Sequence, residues 1–356
     1  MQLGIIGLPQ SGKTTIFGAL TRGIKANGTH NGRIEIHNAV VDVPDARVDR
    51  LAAMFLPRKI TYAKVTYADI SGLDGSAGSA GLSGPLLNEL NRMSGFIHVI
   101  RCFEDELLPH PAGSVDPLRD LQLMDAEFLL NDLIVVERKL ERLAEELRKN
   151  SGREKSLIHK EIALFERLKE LLESETLLRD VEITEEELKV LSGFGLLTLK
   201  PVLITLNLGE GQTAPQIEYD HKYSHVVALQ GMLEMEIAQL PPEEMDLFLE
   251  EYQIKEPALN RLIRLSYDLL GLQPFFTYGP DEVRAWTVAR GASAVDAAGA
   301  IHSDLAKGFI RAEVMSYEDL MSFGSVAEVR ANGRFRLEGK QYHVQDGDLI
   351  TIRFNI

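Results

Sequence analysis

The sequence predicts an α/β fold in which a mostly parallel sheet with flanking helices is interrupted by a helical hairpin and followed by a small α+β module. Three observations predict this class. Short apolar runs, beginning with Leu3–Ile6, alternate with stretches that suit helices. Between Asp125 and Leu191 the apolar residues step by three and four. From about Gln273 onward, short strands alternate with turn signals.

The first strand leads into a glycine loop, Gly7–Thr15, that fits the phosphate-binding pattern G-x-x-x-x-G-K-S/T. An apolar run precedes the loop and Thr15–Leu20 can open a helix, which is the context that a P-loop requires. Lys13 is predicted to reach the β- and γ-phosphates, as a candidate catalytic residue, and the Thr14 hydroxyl to ligate Mg²⁺. The alternative is a chance match. The predicted phosphate-binding residues are Pro9, Gln10, Ser11, Gly12, Lys13, Thr14 and Thr15.

Length, composition and charge limit the class of protein to which the chain can belong. A chain of 356 residues is expected to form two or three domains. No apolar run approaches the length of a membrane span, and nothing at the N-terminus directs export. The single cysteine, Cys102, agrees with a reducing cytoplasm, which is the expected location. The net charge of −15 argues against nonspecific coating of nucleic acid.

The segment after the first helix is predicted to contain a loop, a strand and a helix. Thr21–Asn38 lacks clear periodicity and is interpreted as a mobile loop of the kind that forms a switch. Val40–Val43 alternates like a strand, and Asp45–Leu56 is predicted to be a short helix. Ile60–Ile70 is predicted to be one long strand.

That long strand ends in Asp69-Ile70-Ser71-Gly72, a D-x-x-G sequence. In a phosphate-loop nucleotidase, an aspartate in this position holds Mg²⁺ and the glycine amide senses the γ-phosphate. Asp69 is therefore a predicted metal ligand and Gly72 a predicted nucleotide contact. The alternative is that this glycine-rich stretch is a flexible linker.

The next strands carry the predicted base-binding end. Phe96–Phe103 is a third buried strand, and two long helices broken at 150–152 are expected to form a hairpin with arms on the order of 30 Å. Lys200–Leu206 is a strand that ends at Asn207-Leu208-Gly209-Glu210, where a GTPase carries Asn-Lys-x-Asp. Leu208 and Glu210 weaken the expected preference for guanine. After the strand His225–Leu229, backbone amides are expected to meet the base; they belong to Gln230, Gly231 and Met232.

The last part is predicted to hold strands at Phe275–Thr277, Ala285–Val288, Arg334–Leu337 and Leu349–Phe354, with a helix at Ala294–Lys307. Basic and aromatic residues in this part would suit a surface that faces RNA. An ordinary solvated surface is the open alternative, because acidic residues nearly balance the basic ones.

Taken together, these motifs resemble the YchF/Ola1 subfamily of Obg-related P-loop NTPases over essentially the whole chain. The terminal motifs Val283–Thr287, Lys307–Glu313 and Leu337–Lys340 are the most specific. The resemblance implies a nucleotidase domain at 1–124 and 198–272, an inserted helical hairpin domain at 125–197, and a C-terminal TGS domain, a ubiquitin-like β-grasp fold, at 273–356. It also implies a ribosome-associated ATPase that prefers ATP to GTP.

The resemblance suggests a catalytic residue as well. Leu73 stands where Ras-type enzymes place a glutamine that orients water. The family carries a histidine proposed for this role in the loop after the third strand, and His110 occupies the matching place. The alternative is a surface-loop histidine without a role.

Three departures from the family pattern concern the switches and the base site. Arg33 stands at the usual threonine of the first switch, unless Thr29 substitutes. The second switch has small residues at Gly78–Ala80, and Gln230-Gly231 replaces the family's Ser-Ala. Nucleotide binding is therefore predicted more firmly than turnover.

The sequence thus favours a Mg²⁺-dependent ATPase acting as a ribosome-associated switch, with ATP or GTP and Mg²⁺ as cofactors. Two alternatives remain: a GTPase of the same fold, and a nucleotide-gated module that binds RNA or the ribosome with negligible hydrolysis. Ribosomal RNA or protein is the expected partner. No sequence-specific DNA binding and no membrane association are expected. The sequence does not indicate the oligomeric state.

Overall fold

A computed structural model describes residues 1–23, 27–31, 34–70, 82, 84–149, 153–252 and 254–355, with the backbone alone at 27–31, 34, 35 and 242. The chain forms two compact units. The first comprises Met1–Ala39 and Thr66–Leu262, and the second comprises Val40–Val65 and Ile263–Ile356. Within the described residues, no helix is both long enough and apolar enough to cross a bilayer.

A seven-stranded sheet forms the first unit's framework. Its strands are β1 (Gln2–Ile6), β2 (Asn27–Asn31), β3 (Ile34–Asp42), β5 (Lys64–Ile70), β6 (Gly95–Arg101), β7 (Val202–Asn207) and β8 (Ser224–Leu229). Their order is β2-β3-β5-β1-β6-β7-β8. The pairs β5/β1, β1/β6, β6/β7 and β7/β8 are parallel. The predicted mostly parallel sheet is confirmed.

Burial explains why these segments form strands. Every residue of β6 and of β7 is buried, as in a parallel sheet covered on both faces. The helices of the first unit are α1 (Lys13–Leu20), α3 (Gly84–Arg92), α4 (Pro117–Lys149), α5 (Lys155–Glu173), α6 (Glu185–Leu191), α7 (Gly231–Gln239) and α8 (Pro242–Glu251), with a 3-10 turn at Leu178–Asp180. Helix α9 (Ala258–Leu269) contains the boundary between the two units. The carboxyl ends of the central parallel strands meet at one edge, where such sheets bind ligands.

The inserted hairpin consists of α4 and α5, which pack on each other around an apolar cluster that includes Val136, Leu143, Ile158 and Phe165. The predicted hairpin is confirmed, and its predicted break at 150–152 lies outside the described residues. Its first arm is longer than expected, since α4 begins at Pro117 rather than Asp125 and extends about 50 Å.

Asp132 anchors this hairpin to the chain that returns to the sheet. The carboxylate is fully buried and accepts hydrogen bonds from the Leu197 amide at 2.8 Å, the Thr198 amide at 2.8 Å and the Thr198 hydroxyl at 2.7 Å. The Asn131 side chain donates a further bond at 3.1 Å. One side chain therefore fixes the first arm against the segment that enters β7.

The second unit is built on a six-stranded sheet. Its strands are β4 (Lys59–Thr61), β9 (Leu272–Thr277), β10 (Glu282–Ala289), β11 (Phe309–Ser316), β12 (Arg336–Glu338) and β13 (Asp348–Phe354), in the order β12-β11-β13-β9-β10-β4. Its helices are α2 (Ala46–Phe55), α10 (Ala294–Ile301), α11 (Ser303–Lys307), α12 (Tyr317–Phe323) and α13 (Val326–Ala331). The predicted small α+β module is confirmed, and its sheet includes β4 from an early part of the chain.

Three predictions of local structure are wrong. Thr21–Asn38 is not a mobile loop throughout, because β2 and β3 pair antiparallel within it. Ile60–Ile70 is two strands in two sheets, β4 and β5, with a break at 62–63. Ala294–Lys307 is two helices, because His302 is extended and its Nδ1 accepts a hydrogen bond from the Asp304 amide, which starts α11.

His98, at the centre of β6, makes stability depend on pH. Burial, aided by the charges of Lys13 and Arg179, lowers the pKa of His98 to about 3. Below pH 6.5 the unfolded chain therefore binds a proton at this imidazole that the folded chain does not bind. Stability is lost as pH falls through that range, by roughly 3 kcal/mol between pH 6.5 and pH 4.

The variant His98→Gln removes this titration. We expect the free energy of unfolding to fall less steeply below pH 6.5 in the variant than in the wild type. Urea unfolding between pH 7 and pH 4 measures both slopes. Equal slopes for the two proteins would show that His98 does not carry the effect.

Candidate nucleotide-binding site

A cavity of about 1000 Å³ lies at the carboxyl edge of the first unit's parallel sheet. Its wall combines the loop after β1, the start of α1, the residues that follow β7 and the start of α7. The structure thus brings together side chains from both predicted ends of the site. The predicted residues that line this cavity are Gln10, Gly12, Lys13, Thr14, Thr15, Asn207, Leu208, Glu210, Gln230 and Met232.

The phosphate loop joins β1 to α1, as its sequence predicts. Gly12 has a φ of 96°, and a Cβ there would overlap the side-chain nitrogen of Asn207, so both conformation and space require glycine. The Lys13 ammonium is buried and donates to the carbonyls of Gly7 at 3.0 Å and Leu8 at 2.9 Å. Helix α1 begins at Lys13, which directs its first amides toward the loop. This geometry suits a polyphosphate.

Asn207 connects the phosphate loop to the base-binding end. Its Nδ2 donates to the Ser11 carbonyl at 2.9 Å, and its Oδ1 accepts from the Gly231 amide at 2.9 Å. The side chain is buried, so both bonds are protected from water. Sequence reasoning assigned Asn207 to the base alone, whereas its geometry makes it the link between three loops.

Thr14 and Asp69 form the predicted metal position. The Thr14 hydroxyl donates to Asp69 Oδ2 at 3.2 Å, and Asp69 Oδ1 is buried without a hydrogen-bond partner among the described residues. Burial raises the pKa of Asp69, against the opposing effects of Thr14, Lys13 and His37. A hydroxyl oxygen beside a carboxylate with an unused oxygen fits Mg²⁺, which prefers oxygen ligands. A cation here would keep the carboxylate ionised.

The base-binding end has an exposed carboxylate and an apolar wall. Glu210 is exposed, and Leu208 and Met232 line the same cavity. The Leu208 amide donates to the Leu229 carbonyl at 2.8 Å, and the Gly209 amide to Gln212 Oε1 at 2.8 Å. These bonds fix the turn that presents Leu208 and Glu210.

His110 is not among the residues that line the cavity. The side chain is buried rather than at the surface, and a role in catalysis stays a prediction. Its Nδ1 accepts from the Ala112 amide at 3.1 Å, and its Nε2 lies 2.9 Å from Asp120 Oδ2. Because Nδ1 is an acceptor, Nε2 carries the proton and donates to Asp120. Both ring nitrogens are engaged within the protein.

Sequence reasoning missed several residues of the wall. Phe103 and Leu108 line the cavity from the loop after β6, and Arg101 holds that loop by donating to their carbonyls at 2.9 Å and 2.7 Å. A signal existed for Phe103, since it follows a strand end at the binding edge. Asp105 in the same loop and Gly209 after β7 were also missed. The remaining missed residues lie on α7, on α8 and beyond α8; they are Leu233, Glu236, Phe248, Tyr252 and Ile254.

Some predicted residues lie beside the cavity or outside the described part of the chain. Pro9, Ser11 and Gly231 belong to the loops that form the wall, and the Ser11 hydroxyl is buried without a partner among the described residues. Gly72 lies outside the described residues, as do Leu73, Arg33 and the stretch Gly78–Ala80. Thr29 is described by its backbone alone.

A parallel sheet with this loop, lysine, hydroxyl and carboxylate at its edge defines a P-loop nucleoside-triphosphate-binding protein. Comparison with known proteins identifies the family. A family model described as "YchF-GTPase_C: Protein of unknown function (DUF933)" matches residues 272–355. The chain is 40% identical over 362 residues to the ribosome-binding ATPase YchF of Haemophilus influenzae, covering 99% of both chains. It belongs to the YchF family of Obg-related ATPases.

More distant relatives agree with this assignment. The chain is 34% identical over 368 residues to Obg-like ATPase 1 of Oryza sativa subsp. japonica, covering 100% of this chain and 92% of the relative. The solved structure of the Schizosaccharomyces pombe YchF GTPase is similar with a TM-score of 0.83 at 29% identity, covering 99% and 97% of the two chains. The likeness extends over both units.

Proposed function

We propose that this protein is a Mg²⁺-dependent ATPase that prefers ATP to GTP and acts as a cytoplasmic, ribosome-associated switch. The observation that carries the proposal is the geometry of Asn207, which joins the phosphate loop to the base-binding end in one cavity. The names of the relatives, ribosome-binding ATPase and Obg-like ATPase, support the activity and the partner. The same proposal includes three domains: a nucleotidase domain at 1–124 and 198–272, a helical hairpin domain at 125–197, and a TGS domain at 273–356.

The preference for ATP rests on the residues after β7. Recognition of guanine in this fold uses an aspartate two residues after a lysine that packs along the base. This chain has Leu208 and the longer Glu210, and Glu210 is exposed. A longer side chain cannot place its carboxylate where the aspartate would be. The apolar side chains of Leu208 and Met232 can pack against either purine ring. The site therefore lacks the contact that selects guanine but keeps apolar contacts to the base.

The chain's own residues have separate tasks in hydrolysis. Bound Mg²⁺ would be held by Thr14 and Asp69 and would neutralise phosphate charge. The Lys13 ammonium, which the loop carbonyls already orient, is placed to stabilise negative charge on the phosphates. Asn207 holds the base-binding end at a fixed position relative to the phosphate loop. We therefore expect nucleotide and metal to bind to a site whose phosphate loop and base-binding end are preorganised.

Water positioning by His110 requires a change from the described arrangement. The ring would have to release Asp120 or the Ala112 amide before it could bond to water. Slow turnover until a partner moves this loop would follow from that requirement. This observation also favours the second candidate function, a nucleotide-gated ribosome-binding module with negligible hydrolysis.

Calorimetric titration with ATP and GTP, with Mg²⁺ and with a chelator, tests the proposed ligand. ATP should bind more tightly than GTP, and removal of Mg²⁺ should weaken ATP binding, because Thr14 and Asp69 then face the phosphates without a cation. The specificity proposal fails if GTP binds as tightly as ATP. It also fails if the chelator has no effect.

A turnover assay separates the two candidate functions. Phosphate release from ATP should be slow for the free protein and should rise on addition of ribosomes. A rate that stays at the uncatalysed level with and without ribosomes would favour the nucleotide-gated module. Co-sedimentation with ribosomal subunits in the same buffers reports whether the partner binds at all.

A further inference from the structure

The cavity continues past the residues after β7 to a wall formed by α8. Phe248 on α8, Tyr252 at its C-cap and Ile254 beyond it line the cavity. These residues follow β8 and the base-contacting turn in sequence, and no predicted motif includes them. The wall that they form is apolar and aromatic, whereas the loop end of the cavity holds Lys13 and Thr14.

Phe248 and Tyr252 form a stacked aromatic pair at the cavity wall. They are one helical turn apart, so they share a face, and their rings stack with centroids 4.4 Å apart and planes inclined by 25°. Tyr252 is 61% exposed although it lies at the cavity. A flat aromatic surface that lines a cavity and remains exposed suits a flat ligand group.

We propose that the aromatic pair of Phe248 and Tyr252 forms a clamp that stacks on the purine ring of the bound nucleotide. This inference rests on the proposed function, because it requires a nucleoside triphosphate whose phosphates lie at Lys13. Every base has a π-face, so stacking contributes affinity without choosing between adenine and guanine. The clamp therefore supplies affinity for the base without setting the choice between adenine and guanine.

The position of α8 agrees with this role. Helix α8 follows α7 directly, and α7 starts at Gly231, whose amide is held by Asn207. On α7, Glu234 accepts hydrogen bonds from the amides of Ala258 at 2.9 Å and Leu259 at 3.1 Å. The segment that carries the clamp is thus fixed at both ends, while its middle borders the cavity.

Binding measurements with ATP, GTP and inorganic tripolyphosphate test the clamp. Phe248→Ala and Tyr252→Ala should each weaken ATP and GTP about tenfold, equal to about 1.4 kcal/mol, and should leave tripolyphosphate unchanged because it has no base. Tyr252→Phe, which keeps the ring, should bind like the wild type. Leu247→Ala is the matched control, since Leu247 lies on the same helix, is 67% exposed and does not line the cavity.

The outcomes separate the clamp from the proposed function. If the wild type binds neither ATP nor tripolyphosphate, the proposed function fails and the clamp with it. If the wild type binds ATP and both alanine variants bind it as tightly, the clamp alone is overturned. Loss of tripolyphosphate binding in the variants would also overturn it, because the helix would then act through the phosphate loop.

Hydrogen exchange on the unmodified protein gives a second test that does not depend on variants. ATP should slow the exchange of amides in α8, whereas tripolyphosphate should not. Equal protection of α8 by both ligands would contradict stacking on the base.

Discussion

Lys13→Ala should weaken ATP binding by about 100-fold or more. The ammonium is buried at the phosphate loop and already oriented by two carbonyls, so its transfer to phosphate oxygens needs little rearrangement. Charge-assisted hydrogen bonds to phosphates contribute about 3 kcal/mol together, which corresponds to about 100-fold in affinity. Isothermal titration with ATP and Mg²⁺ measures the change.

Lys307→Ala is the control for the general loss of one positive charge. The Lys307 side chain is 78% exposed and pairs with Asp304 in the second unit. We expect it to leave ATP affinity unchanged. If Lys13→Ala bound ATP within threefold of the wild type, the phosphate loop would no longer explain nucleotide binding.

Asp132→Ala should lower the free energy of unfolding by about 3–5 kcal/mol. The substitution leaves buried donors of Leu197 and Thr198 without an acceptor, and each unsatisfied donor costs about 1–3 kcal/mol. The loss should concentrate where α4 meets the segment that enters β7. Chemical denaturation gives the magnitude, and hydrogen exchange at the Thr198 amide gives the location.

Glu137→Ala on the same helix is the comparison for Asp132→Ala. Glu137 pairs with Lys169 at 2.9 Å, but both side chains are partly exposed to solvent, so removal of this pair should change the denaturation midpoint little. An equal effect of the two substitutions would mean that Asp132 is not a specific anchor.

The fold was predictable where burial and periodicity agree. The segments that became β1, β6 and β7 are apolar runs, and every residue of β6 and β7 is buried. Prediction failed at β2, whose residues Asn27–Asn31 are polar and which pairs through its backbone with β3. Prediction failed again between β4 and β5. The alternation of apolar and polar residues continues from one strand to the next, and only the pairing of β4 with β10 shows that the two strands belong to different sheets.

The site was predictable where a motif carries it. Lys13 and Thr14 follow from the loop pattern, and Asp69 follows from its place at a strand end. The bonds of Asn207 to Ser11 and Gly231 could not be read from the sequence, since they depend on how three loops meet. Phe248 and Tyr252 were missed because an aromatic pair on a helix looks the same whether it faces a core, solvent or a ligand.

The hydrogen bond between Asn207 and Ser11 also determines when the cavity can form during translation. It spans 196 residues of sequence, and the whole hairpin lies between its partners. At about 5–20 residues per second, synthesis of that interval takes on the order of 10–40 s. A nascent chain therefore exposes β1, the glycine loop and α1 long before the asparagine that completes the cavity has been translated.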